Sequence, residues 1–103
     1  MSQVKLSDQA TEDLGRFADF LIQAGVPHKT EVAISTILTA FEVLISNPLI
    51  GEAYPLDGYD NFHELVIKYG KSGYIALYSF DKKADLVVIH AIRHQKEVGY
   101  NNK

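Results

Sequence analysis

His63-Glu-Leu-Val-Ile-Lys-Tyr-Gly-Lys-Ser-Gly-Tyr-Ile-Ala-Leu-Tyr78 and Leu86-Val-Val-Ile-His-Ala-Ile-Arg-His-Gln-Lys-Glu-Val-Gly-Tyr100 are the stretches that decide the fold. They are rich in β-branched and aromatic residues, which suit a pleated, half-buried surface. They predict three strands, at about 62–68, 74–80 and 86–93. Tyr69-Gly-Lys-Ser-Gly73 and Asp81-Lys-Lys-Ala-Asp85 have the length and residue types of hairpin turns. In the second strand Tyr74, Ala76, Tyr78 and Phe80 fall on one face, with Ile75 and Leu77 on the other. The same alternation in the third strand sets Val87, Ile89, Ala91 and Arg93 against Leu86, Val88, His90 and Ile92. Antiparallel pairing then gathers Lys68, Lys71, His90, Arg93 and His94 at one end of a sheet.

Working outward, Gln3-Val-Lys-Leu6 alternates polar and apolar residues and suits a short edge strand. Ser7 is a good helix N-cap, and Asp8 in the first turn faces the positive end of the helix dipole. Ala10, Leu14, Phe17, Ala18, Leu21 and Ile22 make one apolar stripe, which Ala24-Gly25 and Pro27 end. A second helix runs from about Lys29 to Ser46 on Ile34, Ile37, Leu38, Phe41, Leu44 and Ile45. Val32, Ala33, Ala40 and Val43 widen that stripe, which predicts the more buried of the two helices. The link Gly25-Val-Pro-His28 is short enough for an antiparallel helical hairpin. Gly51, Pro55 and Gly58 mark 48–61 as a loop. The order is β-α-α-β-β-β, an α+β fold with a helical hairpin packed on an antiparallel sheet.

At 103 residues the chain is expected to form one domain over 1–103. It has no run of about 18 apolar residues, and its start lacks the apolar core of a signal peptide. The expected location is therefore the cytoplasm, with no membrane partner. The absence of cysteine excludes disulfides and thiolate–metal sites, and the histidine spacing offers no close ligand pair, so no metal or cofactor is expected. Net charge is −3, but unevenly placed. Residues 1–61 carry three cations against nine acids, whereas 62–103 carry seven cations against four. One acidic and one basic side result. Gly70-Lys-Ser-Gly73 lacks the upstream glycine of a phosphate loop and joins two strands, which discounts nucleotide binding there.

Lys71-Ser-Gly-Tyr-Ile-Ala-Leu-Tyr78 and Ala91-Ile-Arg-His-Gln-Lys-Glu-Val-Gly-Tyr100 carry a resemblance over nearly the whole chain. So do Val4-Lys-Leu-Ser-Asp-Gln-Ala-Thr-Glu-Asp-Leu14 and Pro48-Leu-Ile-Gly51. In these segments the sequence resembles the RelE/ParE superfamily of toxins from type II toxin–antitoxin pairs, in the branch described as plasmid-stabilisation proteins. The resemblance implies a growth-inhibiting toxin neutralised by a small cognate antitoxin that wraps it. RelE-type members cut messenger RNA on the ribosome without metal, whereas ParE-type members block DNA gyrase without catalysis. A module that binds its antitoxin but has lost toxicity is a third reading. The same surface also admits a homodimer.

Metal-free cleavage needs a base for the 2′-hydroxyl proton, cations on the phosphate and an acid for the leaving oxygen. The catalytic candidates are Arg93 as a bidentate phosphate ligand, His94 as acid or base, Lys68 and Lys71 as charge stabilisers, and Tyr100 as a stacking or proton-transfer group. Glu64 is a further candidate base. His63 and Ser79 stand where relatives of this branch often carry arginine, and both departures reduce fixed positive charge.

Overall fold

The computed structural model describes residues 2–55 and 61–100. Its elements are β1 (Gln3–Leu6), α1 (Asp8–Gln23), a 3-10 turn (Pro27–Lys29), α2 (Thr30–Ser46), β2 (Glu52–Ala53), β3 (Phe62–Tyr69), β4 (Ser72–Asp81) and β5 (Leu86–His94). The strands form one sheet in the order β1-β5-β4-β3-β2. β3, β4 and β5 make the antiparallel meander that the sequence predicts. β1 pairs with β5 in parallel, so the complete sheet is mixed. β2, two residues long, lies inside the expected loop and pairs with β3. The part of that loop at 56–60 lies outside the described residues.

Local chemistry starts and stops the helices where expected. The Ser7 hydroxyl accepts from the Ala10 N–H at 3.1 Å. Removing such a cap costs about 1 kcal/mol. Gly25 follows the C-cap at φ +80°, a left-handed conformation that glycine adopts without a Cβ clash. One face of each helix packs on the sheet. Phe17, Ile37, Phe41 and Leu44 meet Ile67, Tyr74, Ala76, Tyr78, Val87, Ile89 and Ile92 in one continuous core. Each fully buried aliphatic side chain there contributes about 1.5–3 kcal/mol. The outer part of α2's apolar surface stays uncovered. Val32, Leu38 and Val43 are exposed, because a single packing face cannot reach the whole of so broad a stripe. Among the described residues no helix is long and apolar enough to cross a membrane.

The largest departure from the sequence reading is a β-bulge in β5. Leu77 pairs with Ala91 but Tyr78 pairs with Ile89, which leaves the His90 backbone without a register partner on β4. The extra residue reverses the alternation that follows. Val87, Ile89 and Ile92 point into the core, and Ala91 and Arg93 are turned to the outer face. Ile92 and Arg93 therefore exchange the faces that strict alternation assigns them.

A buried carboxylate fixes this geometry. β1 ends opposite Ile89, so the rest of the β5 edge needs other partners. Ser7 supplies the first, its N–H donating to the Ile89 carbonyl and its hydroxyl to the His90 carbonyl at 2.8 Å. Asp13 of α1 is fully buried and accepts the Ile92 N–H at 2.8 Å. Gln9 and Arg16 donate to its other oxygen. A helix thus takes over the edge-pairing role where the neighbouring strand runs out, leaving the Ile92 N–H and the buried Asp13 carboxylate satisfied.

Candidate functional site

Alternation along β5 divides the predicted cationic cluster between two faces of one sheet end, and the bulge decides which residue takes which face. Arg93 faces outward in a cross-strand row with Ile75 and Val66. Glu64 shares the outer face, in the next row with Leu77 and Ala91. After β5 the chain turns back, with the Glu97 N–H donating to the His94 carbonyl and Gly99 at φ +81°. This return lays Tyr100 over the outer face. Its hydroxyl donates to Glu64 Oε2 at 2.5 Å, and the Arg93 guanidinium lies 5.4 Å from its ring centroid. Tyr54 meets the same ring edge-on at 6.3 Å. Arg93 also donates to the Glu97 carbonyl at 3.0 Å.

Burial, together with the hydrogen bond and charge of Glu64, pushes the Tyr100 phenol well above the ordinary tyrosine range, and Arg93 opposes this only in part. The phenol is therefore a proton donor at neutral pH, not a base. Further along the same face, the Ser79 hydroxyl and His90 Nε2 are 2.7 Å apart, and Phe62 stacks on the imidazole at 5.0 Å. Burial pushes His90 below the usual histidine value, which favours the neutral ring. His90 is thus a hydrogen-bonded neighbour of Ser79. His63 lies on the core side, stacked at 5.5 Å on the buried Tyr78.

His94 faces the helices. It pairs across the sheet with Tyr74 and meets that ring edge-on at 5.4 Å. Its Nδ1 accepts the Lys96 N–H at 3.1 Å, so the neutral ring carries its proton on Nε2. Nε2 stands 3.3 Å from the Ser72 hydroxyl. A protonated Nε2 cannot take the serine proton, so this pair is no activated nucleophile.

His94 lines a half-open cleft of about 690 Å³ between α1 and the β3–β4 turn. Phe17, Phe20, Leu21, Tyr69 and Tyr74 form its apolar walls, and Arg16, Lys71 and Lys96 supply cations. Glu97 closes one end. It accepts from Arg16 at 2.8 Å and from the His94 N–H at 2.7 Å, joining the tail to α1.

Of the five predicted catalytic residues, Arg93 and Tyr100 come together on the outer face, and Lys71 and His94 line the cleft behind it. Lys68 is exposed on β3, on the face of Glu64 and Val66 by alternation. Asp13, Arg16, Tyr54 and Glu97 were not singled out by sequence, although they hold both regions in place. Only Arg16, a lone cation within an acidic helix, offered a signal. Among the described residues no cluster of His, Asp and Glu is arranged to hold a metal ion.

The family model for the ParE toxin of type II toxin–antitoxin system, parDE, matches residues 4–99. The chain belongs to the ParE toxin family. Solved structures share the fold. A chromosomal ParDE toxin–antitoxin system from P. aeruginosa superimposes with a TM-score of 0.75 at 18% identity, covering 93% of this chain and 98% of that one. A chain of the intact E. coli RelBE toxin–antitoxin complex gives 0.59 at 15% identity, over 95% of this chain and 100% of that one. The RelBE2 toxin–antitoxin complex of Mycobacterium tuberculosis gives 0.58 at 21% identity, over 90% and 96%. No curated protein matches the chain. As a ParE-family member it is the toxin component of a type II system, in a fold that RelE-type toxins share.

Proposed function

We propose that this ParE-family toxin arrests growth in the cytoplasm by binding DNA gyrase, without cutting RNA, and that a small cognate antitoxin neutralises it. One observation carries the choice of target: the sheet stands between Arg93 and His94. Cleavage would require the phosphate ligand, the base and the acid to surround a single phosphate. Here Arg93 is engaged by Tyr100 and the Glu97 carbonyl on one face, and His94 is held by Lys96 and Ser72 on the other. Blocking a protein target asks only for a surface. The net charge of −3 also favours a protein target over the phosphate-dense ribosome.

Ribosome-dependent cleavage is the second reading. It is favoured by the meeting of Glu64, Arg93 and Tyr100, which together offer a carboxylate base, a guanidinium and a phenolic acid. The two separate in one pair of assays. Purified protein is expected to abolish supercoiling by gyrase. Primer extension on cellular messages after induction is expected to give no new 5′ ends. Unimpaired supercoiling with new 5′ ends would replace the first reading by the second. Normal growth on expression without antitoxin would remove both and leave a binding module.

A further inference from the structure

We propose that the cleft between α1 and the β3–β4 turn receives an acidic segment of the antitoxin, anchored by one bulky apolar side chain. The inference rests on the antitoxin reading above and adds the location and chemistry of the contact. Phe20 is 68% exposed at the mouth of the cleft, beside the walls formed by Phe17, Leu21, Tyr69 and Tyr74. An aromatic left so open beside a ready apolar slot gains from being covered, and burial of a large aromatic is the usual anchor of a protein interface. The rim sets the charge of the occupant. Lys71 and Lys96 both line the cleft, and among the described residues neither has an ion-pair partner. Arg16 adds a third cation, already held by Asp13 and Glu97. Carboxylates flanking an apolar anchor therefore match this rim.

Other occupants fit less well. A symmetric second copy would bring Lys71 and Lys96 of both chains against one another. A nucleic-acid strand would meet the Glu97 carboxylate at one end of the cleft and a chiefly apolar wall.

The test is calorimetric titration of this chain with the protein encoded by the reading frame beside its gene. Phe20→Glu is expected to weaken the complex by about 30-fold or more, as loss of an anchor residue does. The Lys71→Glu/Lys96→Glu double variant is expected to lose about tenfold and to flatten the salt dependence. Val66→Glu, exposed on the opposite face of the sheet, should bind as the parent does. All these sites are exposed, and unchanged thermal melts would confirm that the variants fold. A parent complex that tolerates Phe20→Glu overturns the cleft assignment alone, whereas a parent chain that binds no such protein overturns the antitoxin reading with it. Two further results would also overturn the assignment. One is a dimer of the isolated chain that Phe20→Glu dissociates; the other is a labelled oligonucleotide that binds and is lost with the same variant.

Discussion

The outer face of the sheet and the α1 cleft begin at adjacent residues, Arg93 and His94, yet they are opposite kinds of surface. On the outer face the polar groups satisfy one another. Tyr100 donates to Glu64, Arg93 lies on Tyr100, and Ser79 pairs with His90. In the cleft, aromatic walls stand open beside lysines that have no ion-pair partner among the described residues. The difference shows that a cluster of cations in sequence is not a cluster in chemistry. Strand alternation sends Arg93 and His94 to different environments, and the one bulged residue in β5 decides which of them meets the self-contained face and which the open cleft.

The largest effect is expected where both regions share a support. Asp13→Ala leaves the Ile92 N–H and Arg16 short of a buried partner and should destabilise the fold by about 3 kcal/mol. A fall in the denaturant midpoint at constant m-value measures this. A loss under 1 kcal/mol would mean that the helix does not hold the end of β5.

Glu97→Gln weakens the link between tail and α1. About 1 kcal/mol is expected, since the ion pair is one-third exposed and screened by solvent. Hydrogen exchange at the His94 amide should quicken in this variant, and unaltered exchange would separate the tail from the latch.

Tyr100→Phe acts on the outer face alone, with an expected loss of about 1 kcal/mol at neutral pH. Its clearer signature is alkaline. Tyr74, Tyr78 and Tyr100 all titrate above the ordinary value of 10.0 in the folded chain. The unfolded chain loses those protons first, so their contribution is complete below pH 10 and disappears as pH rises beyond it. The variant should flatten that decline, and a slope identical to the parent's would contradict the buried phenol.

The smallest effect is at His90. Its folded value lies below the ordinary 6.5, so the unfolded state binds the proton more readily. Stability is present above 6.5 and falls as pH drops below it, a decline that His90→Gln should reduce. Urea melts between pH 5 and 7.5 would check the sign.

Much of the element pattern was legible because it rests on near neighbours. The Ser7 cap, the Gly25 stop, the two turns of the meander and the apolar faces of β4 all follow from residues within a turn or a strand of each other. The candidate site was legible as composition only. Lys71, Arg93, His94 and Tyr100 were identifiable as chemistry-bearing residues, and all lie at or near the predicted end of the sheet. That Arg93 and His94 part was legible from alternation, but which of them faces the helices was not, because a bulge at His90 leaves no local mark in a strand of apolar residues. Asp13 was hidden for a related reason. A carboxylate one turn into an acidic helix reads as solvated until the strand it bonds is known.

The sequence by itself determined the helical hairpin and the three-stranded meander through periodicity, capping and turn chemistry, and its segments carried the resemblance to the family. Only the tertiary structure decided that β1 runs parallel to β5, that the strand bulges at His90, and that Arg93 rather than His94 takes the outer face. These features depend on partners such as Ser7 with His90 and Asp13 with Ile92, separated by 83 and 79 positions. Such contacts exist only after the chain has closed on itself.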